Sequence, residues 1–369
     1  MTVAQAEIQL IAAVVAVACA LPGVFLVLRR MALMSDALSH AILLGIVVAF
    51  FAVRNLESPI LIVGAAVTGL LVVSAVELLN RTRLLKEDAA IGLVFPALFS
   101  IGVILVSRFA ENVHLDVDAV LLGELAFAPF DRMILFGYDI GPRALISMSV
   151  ILLLNVLFLA VFYKELKLAT FDPGLAAALG FAPGLIHYGL MAMVSVTAVG
   201  AFDSVGSILV VALMIAPPIS AYLLTDKLFA MIGLSAGIGF VSAVSGYWLA
   251  RWLDASIAGS MATMTGLVFL VVFLLAPDRG ILAQLRRRVR QRWDFAQMAL
   301  AVHLYHHEDQ PEAPQECSVD HLSFHLRWDE EFADQVIRKG LQNRFILRQA
   351  ETLILTDRGR ELARQSMER

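Results

Sequence analysis

Two ionisable residues stand where an apolar segment begins: Asp36 and His40, in the run Met34-Ser35-Asp36-Ala37-Leu38-Ser39-His40. Four residues apart, they share one face of a helix. An ionisable pair at the edge of an apolar span is expensive, and so is a functional candidate by default. Carboxylate oxygen and imidazole nitrogen together suit Zn2+, Mn2+ or Fe2+. Two ligands are too few for a tight site, and a twofold or pseudo-twofold dimer would bring two Asp and two His together. The alternative is an Asp that caps its helix and a His that hydrogen-bonds a neighbour.

A second constellation lies at 205–218, where Gly206 opens an apolar run that ends in Pro217 and Pro218. Two prolines inside a span remove two backbone donors. Irregular backbone at membrane depth is tolerated where it is buried in protein or lines a cavity. Gly206, Pro217 and Pro218 are therefore candidates for a translocation path, against the alternative of a proline kink used for packing. A third lies at 164–183. Asp172 suits an N-cap, Pro173 the first helical position and Gly180 the stop, which predicts a short helix between two spans.

The elements that must position these residues are membrane spans. The chain is 59% hydrophobic and 16% charged, with a mean hydropathy of +0.80. A soluble domain is about half apolar and a quarter charged. Runs long enough to cross a bilayer fall at about 8–28, 37–53, 59–79, 89–107, 144–163, 184–201, 206–224, 228–250 and 256–277. The sixth and seventh nearly touch, so one of them can be a half-helix. The N-terminus lacks the basic start of a signal peptide. Inner loops carry fourteen Lys and Arg against five in the outer loops if the N-terminus lies outside and the C-terminus in the cytoplasm. The longest outer loop, 108–143, holds His114, Asp116, Asp118 and an apolar stretch at 120–130.

Charge concentrates at the other end. Residues 278–369 hold 15 Lys+Arg and 15 Asp+Glu, half of the chain's charged side chains. This divides the chain into a membrane region, 1–285, and a soluble tail, 286–369. In the tail the patterns predict helices at 293–308 and 330–343, short strands at 345–347 and 352–355, and a last helix capped by Thr356, with a Pro/Glu-rich linker at 310–318. That is a winged-helix order. From Trp293 onward nine bases face fourteen acids, a poor footprint for DNA. Docking or regulation is the favoured reading, and His303, His306 and His307 read as surface histidines before they read as a metal sensor. Cys19 and Cys317 lie in different regions and imply no disulfide framework. There is no G-x-x-x-x-G-K-[ST] and no H-E-x-x-H, so neither nucleotide hydrolysis nor a zinc protease of that type is expected; the chain is not expected to be an enzyme.

Together these motifs resemble the permease family of zinc, manganese and iron ABC importers. The carrying residues are 27–41, with Asp36 and His40; Leu121-Leu122-Gly123-Glu124; Phe171-Asp172-Pro173 with Gly180; and 205–217. Leu44-Gly45 departs from the Pro-Gly that often follows the His, and Pro218 after Pro217 is a second departure. The tail is similar to the winged-helix domain of metal-dependent, diphtheria-toxin-repressor-like repressors, chiefly over 353–363.

The resemblance implies an all-α polytopic membrane protein of about nine transmembrane helices, plus a small α+β winged-helix cytoplasmic domain. It implies a divalent cargo, Mn, Zn or Fe, held transiently by Asp36 and His40, and no permanent cofactor. The implied partners are ATP-binding cassette ATPase subunits gripping Phe171, Asp172, Pro173 and Gly180, an extracytoplasmic metal-binding protein, a second permease subunit and membrane lipid; DNA is not expected. An ion-coupled secondary transporter and a membrane-tethered transcriptional regulator are the rivals. The soluble helix at 170–180 and a lack of other intramembrane acids weigh against the first, and the acidic tail against the second.

Overall fold

The computed structural model describes residues 2–54, 58, 60–82, 84–109, 125–135 and 138–368. His114, Asp116, Asp118 and Leu121 through Glu124 lie outside the described residues. The chain divides into two compact units, Met1–Gly280 and Ile281–Arg369. The sequence reading put this division at 285/286. A single helix, Ile281–His307, runs through that point.

The first unit is a helical bundle. It contains α1 (Val3–Leu28), α2 (Leu33–Val53), α3 (Ile60–Arg81), α4 (Glu87–Phe109), a hairpin of β1 (Arg132–Leu135) and β2 (Tyr138–Pro142), then α5 (Arg143–Val161), α6 (Tyr163–Phe171), α7 (Pro173–Ala178), α8 (Pro183–Leu224), α9 (Leu228–Leu253) and α10 (Ile257–Leu275). Among the described residues nine helical segments are long and apolar enough to cross a membrane, with α8 supplying two of them, 183–202 and 204–224.

The first helix lies at the centre. It is apolar all round, opens with a Thr2/Gln5 capping box, and is buried along most of its length from Ile11 to Leu26. Its small residues let neighbours approach closely, as bilayer helices do in the absence of a strong solvent drive. The contact on Gly23 shows this: a Cβ there would lie 2.1 Å from the Met214 carbonyl oxygen. That carbonyl is four residues before Pro218 and so lacks its usual helical donor.

Asn155 of α5 clasps the bundle. Its Nδ2 donates to the Ala18 carbonyl at 3.1 Å and to Thr197 Oγ1 at 2.8 Å, joining three helices in an apolar interior. Asn155→Ala should destabilise the bundle by about 1–2 kcal/mol, the range for such bonds between membrane helices. Unfolding of the purified chain in mixed detergent measures this; an unchanged midpoint would show that the clasp contributes nothing.

The expected break at Pro217–Pro218 is found elsewhere. The backbone stays helical through both prolines, which are buried, and the one non-helical residue inside α8 is Gly206, at φ 75°, ψ 167°. Pro218 packs on Gly23, so one consequence of the proline pair is close packing against α1. The φ/ψ of Gly206 belongs to a region that residues with a Cβ essentially never occupy.

The second unit contains α11 (Ile281–His307), α12 (Ala313–Glu316), α13 (Val319–His325), α14 (Glu330–Gln342), the antiparallel pair β3 (Ile346–Gln349) and β4 (Thr352–Leu355), and α15 (Asp357–Met367). Ser318 adds a single bridge to Thr352. Leu300, Leu304, Leu322, Val336, Ile337, Ile346, Leu353 and Leu355 form its own core. Residues 310–318, expected as a linker, contain the short helix α12, and α13 was not anticipated.

Candidate metal pair and loop helix

Asp36 and His40 meet as their spacing predicts. The turn after α1 reverses at Arg30, which has a left-handed φ of 62°, and α2 begins three residues later. Asp36 falls in the first turn of α2, where the helix dipole favours a negative charge. His40 Nε2 lies 3.5 Å from Asp36 Oδ1. The imidazole also stands against Phe95 and Phe99 of α4, with ring centroids 5.8 and 5.9 Å away.

The surroundings of this pair are uneven. Met34, Ser35, Ala37, Leu38, Ser39 and Ala41 are buried, whereas the side chains of His40 and Asp36 remain 31% and 45% exposed. Leu33, Val48 and Phe51 are exposed along the same helix. This stripe of α2 is only partly covered by the described residues. A carboxylate and an imidazole set into such a stripe are costly against lipid, so they require another protein surface or a water-filled path. Gly45 secures the back of the helix: a Cβ there would lie 2.3 Å from the Gly64 carbonyl oxygen of α3, so α2 and α3 cross at backbone contact.

The loop helix forms as expected. Asp172 Oδ1 accepts from the Leu175 backbone N–H at 2.9 Å, Pro173 begins α7, and Gly180 takes a φ of 86° as the chain leaves it. Phe171, Leu175, Leu179 and Phe181 are exposed around it, a cluster of large apolar side chains on a connecting segment. Such a patch marks a protein or membrane contact. The sequence reading named Phe171 but not the leucines, although the helix it drew contained them.

Arg29 was also overlooked, having been counted only as a loop charge. Its Nε donates to Thr170 Oγ1 at 3.1 Å and its Nη1 donates to His187 Nδ1 at 3.1 Å. It thus ties the end of α1 to the residue before Phe171 and to the first turns of α8. Glu77, inside the third span and 2.6 Å from Arg81, and Asp203, in sequence between the sixth and seventh spans, correct the expectation that no other acid lies among them. Close to Asp203 in sequence, the Ser207 hydroxyl beside Gly206 is buried and makes no hydrogen bond among the described residues. Gly206 is far along the chain from Asp36, and no contact between them is described; the cation pair and the helix break are separate features of one bundle.

An apolar bundle with an ionisable pair on an open stripe and a capped helix in a connecting loop is the architecture of a membrane transport subunit. The chain belongs to the ABC 3 transport family, whose model matches residues 4–276. It is 49% identical over 362 residues, 98% of each chain, to the zinc transport system membrane protein TroD of Treponema pallidum. It is also 49% identical over 282 residues to the manganese transport system membrane protein MntD of Bacillus subtilis, covering 76% of this chain and 95% of that one. The first match includes the tail; the second uses nearly all of its relative while leaving about a quarter of this chain unmatched. Among solved structures the chain resembles PsaBC from Streptococcus pneumoniae in complex with Fab, with a TM-score of 0.63 and 28% identity over 76% of this chain and 94% of that one.

Proposed function

We propose that this chain is the membrane permease subunit of an ABC importer that carries a divalent transition-metal ion, zinc or manganese before iron, into the cytoplasm. The observation that carries the reading is the Asp36–His40 pair, 3.5 Å apart on a stripe of α2 that the described residues only partly cover. A second permease subunit across that stripe would supply the missing ligands, and an extracytoplasmic binding protein would deliver the ion. Relatives named for zinc and manganese transport support the cargo class. The ion must be held weakly enough to leave, which a partly exposed site of few ligands allows.

Energy enters at α7. An ATPase subunit docks on Phe171, Leu175 and Leu179, held in place by the Asp172 cap, Pro173 and Gly180. Arg29 relays a shift of that segment to the α1–α2 turn, seven residues before Asp36. The N-terminus is then outside and the tail cytoplasmic, as the basic loops require. Phe171→Ala should weaken ATPase binding at least about thirtyfold, the effect of removing a buried aromatic anchor worth about 2 kcal/mol. The check is copurification of the ATPase with the permease at matched expression; undiminished yield would remove α7 from the interface.

The tail has the helix and hairpin order of a winged-helix domain, and we assign it to docking or regulation before DNA. Of the bases from Trp293 onward, Lys339 lies over the Trp293 ring at 3.6 Å, Arg338 lies 3.9 Å from Asp334, and Arg348 donates to the Ala350 carbonyl. Those side chains are engaged within the domain, which leaves little to neutralise phosphates.

A further inference from the structure

The tail brings two helical histidine pairs onto one carboxylate. His303 and His307 are four residues apart on α11, and His321 and His325 are four apart on α13, so each pair shares a helix face. The rings of His303 and His307 are 4.8 Å apart, those of His321 and His325 are 4.8 Å apart, and His303 and His325 face each other at 5.7 Å. Glu316, at the end of α12, sits among them. Its Oε2 is 3.4 Å from both His321 Nδ1 and His325 Nε2. Ligand atoms of His303, His307 and Glu316 fall within 4.8 Å of one another, as do those of Glu316, His321 and His325.

These distances are those of a cation shell before it closes. Two ligands about 2.1 Å from a tetrahedral ion stand about 3.4 Å apart, which is the separation of Glu316 Oε2 from each histidine of α13. Glu316 Oε2 and His307 Nδ1 are buried and make no hydrogen bond of good geometry among the described residues. His303 Nε2 lies 3.1 Å from the Glu316 backbone carbonyl, which only accepts, so the ring donates from Nε2 and its Nδ1 lone pair is left for a ligand bond. A second-shell bond of this kind fixes the tautomer in many metal sites. His325 is the most exposed of the α13 pair, which gives an ion a way in.

We propose that the tail binds one divalent ion of the zinc class, ligated by Glu316, His321 and His325, with the His303/His307 pair supplying the fourth ligand. Three imidazoles and one carboxylate favour Zn2+ over Mn2+, since imidazole suits the later metals and Mn2+ prefers oxygen. The site is separate from the Asp36–His40 pair and does not depend on the transport reading.

The test uses the full chain in detergent, freed of any histidine tag, with Asp36→Ala and His40→Ala already in place so that only the tail can bind. Zn2+ is titrated in competition with a chromogenic chelator. One ion per chain is expected, with Mn2+ at least about tenfold weaker. His321→Ala with His325→Ala should weaken Zn2+ binding at least about a hundredfold, and the isosteric Glu316→Gln, which keeps the packing, at least about tenfold. His306→Ala, outside both ligand triads, should leave binding unchanged. Zn2+ should also raise the thermal midpoint of the parent chain and not of the double-histidine variant. No bound ion, two ions per chain, binding that survives both the double-histidine and Glu316→Gln changes, or tighter Mn2+ than Zn2+ would each overturn the assignment.

Discussion

Asp36→Ala and His40→Ala should each abolish metal accumulation while the chain inserts and reaches normal abundance. The pair lies on a partly exposed face and contributes little to the buried core, so its removal spares folding. It supplies half of a small ligand set if a second subunit supplies the rest, and losing a direct ligand costs more than the ten- to hundredfold typical of second-shell changes. Uptake should therefore fall at least about a hundredfold. The measurement is accumulation of radioactive zinc or manganese in cells that depend on this chain, at equal membrane abundance. Wild-type uptake by both variants would remove Asp36 and His40 from the path.

Gly206→Ala is the second large effect. At φ 75°, ψ 167° an added Cβ costs about 1–3 kcal/mol, and the strain falls inside the bundle between buried Val205 and Ser207. The helix must either straighten or hold the strain. Either outcome changes the one place where α8 departs from helical geometry, so uptake should fall at least about tenfold and the thermal midpoint should drop. Pro217→Ala is the contrast. The backbone there is already helical, so the variant should transport near the wild-type rate. Full uptake by the Gly206 variant, or a larger loss from the Pro217 variant, would place the functional irregularity at the prolines after all.

These two predictions show which parts of the molecule were legible in the sequence. Asp36 and His40 act through a four-residue spacing on one helix, and local periodicity reveals such pairs. The same holds for Asp172, Pro173 and Gly180, whose cap and stop chemistry is written in residue type. The spans were legible because bilayer thickness sets the length of an apolar run. Gly206 was named with the prolines as a path candidate but not as the break itself, since glycine inside an apolar run carries no sign of its φ. The prolines drew the inference of a break that the helix absorbs, because the Met214 carbonyl freed by Pro218 faces the backbone of Gly23. Arg29 could not be assigned from sequence: Thr170 and His187 lie 141 and 158 residues away. The tail histidines are intermediate. Both four-residue spacings are local and readable, but only the fold brings the second pair and Glu316 to the first.

The tail also illustrates how composition and geometry answer different questions. From Trp293 onward, fourteen acids against nine bases predict weak net attraction to nucleic acid. They say nothing of where one carboxylate sits among four imidazoles. The similarity to TroD runs the length of the chain, whereas the match to MntD is confined to 282 residues. A transport bundle without this tail is therefore found among its relatives, consistent with a role for the tail beside transport.

The central claim is that ATP hydrolysed by a partner drives a divalent metal ion through this bundle. The direct measurement reconstitutes the chain with its cognate ATPase subunit in liposomes, supplies the metal on one face and ATP on the other, and follows radioactive zinc or manganese. The account predicts accumulation that requires ATP on the α7 side, stops with a hydrolysis-dead ATPase, and is lost with Asp36→Ala. Accumulation by the chain alone, without ATPase and in proportion to an imposed proton or sodium gradient, would contradict it.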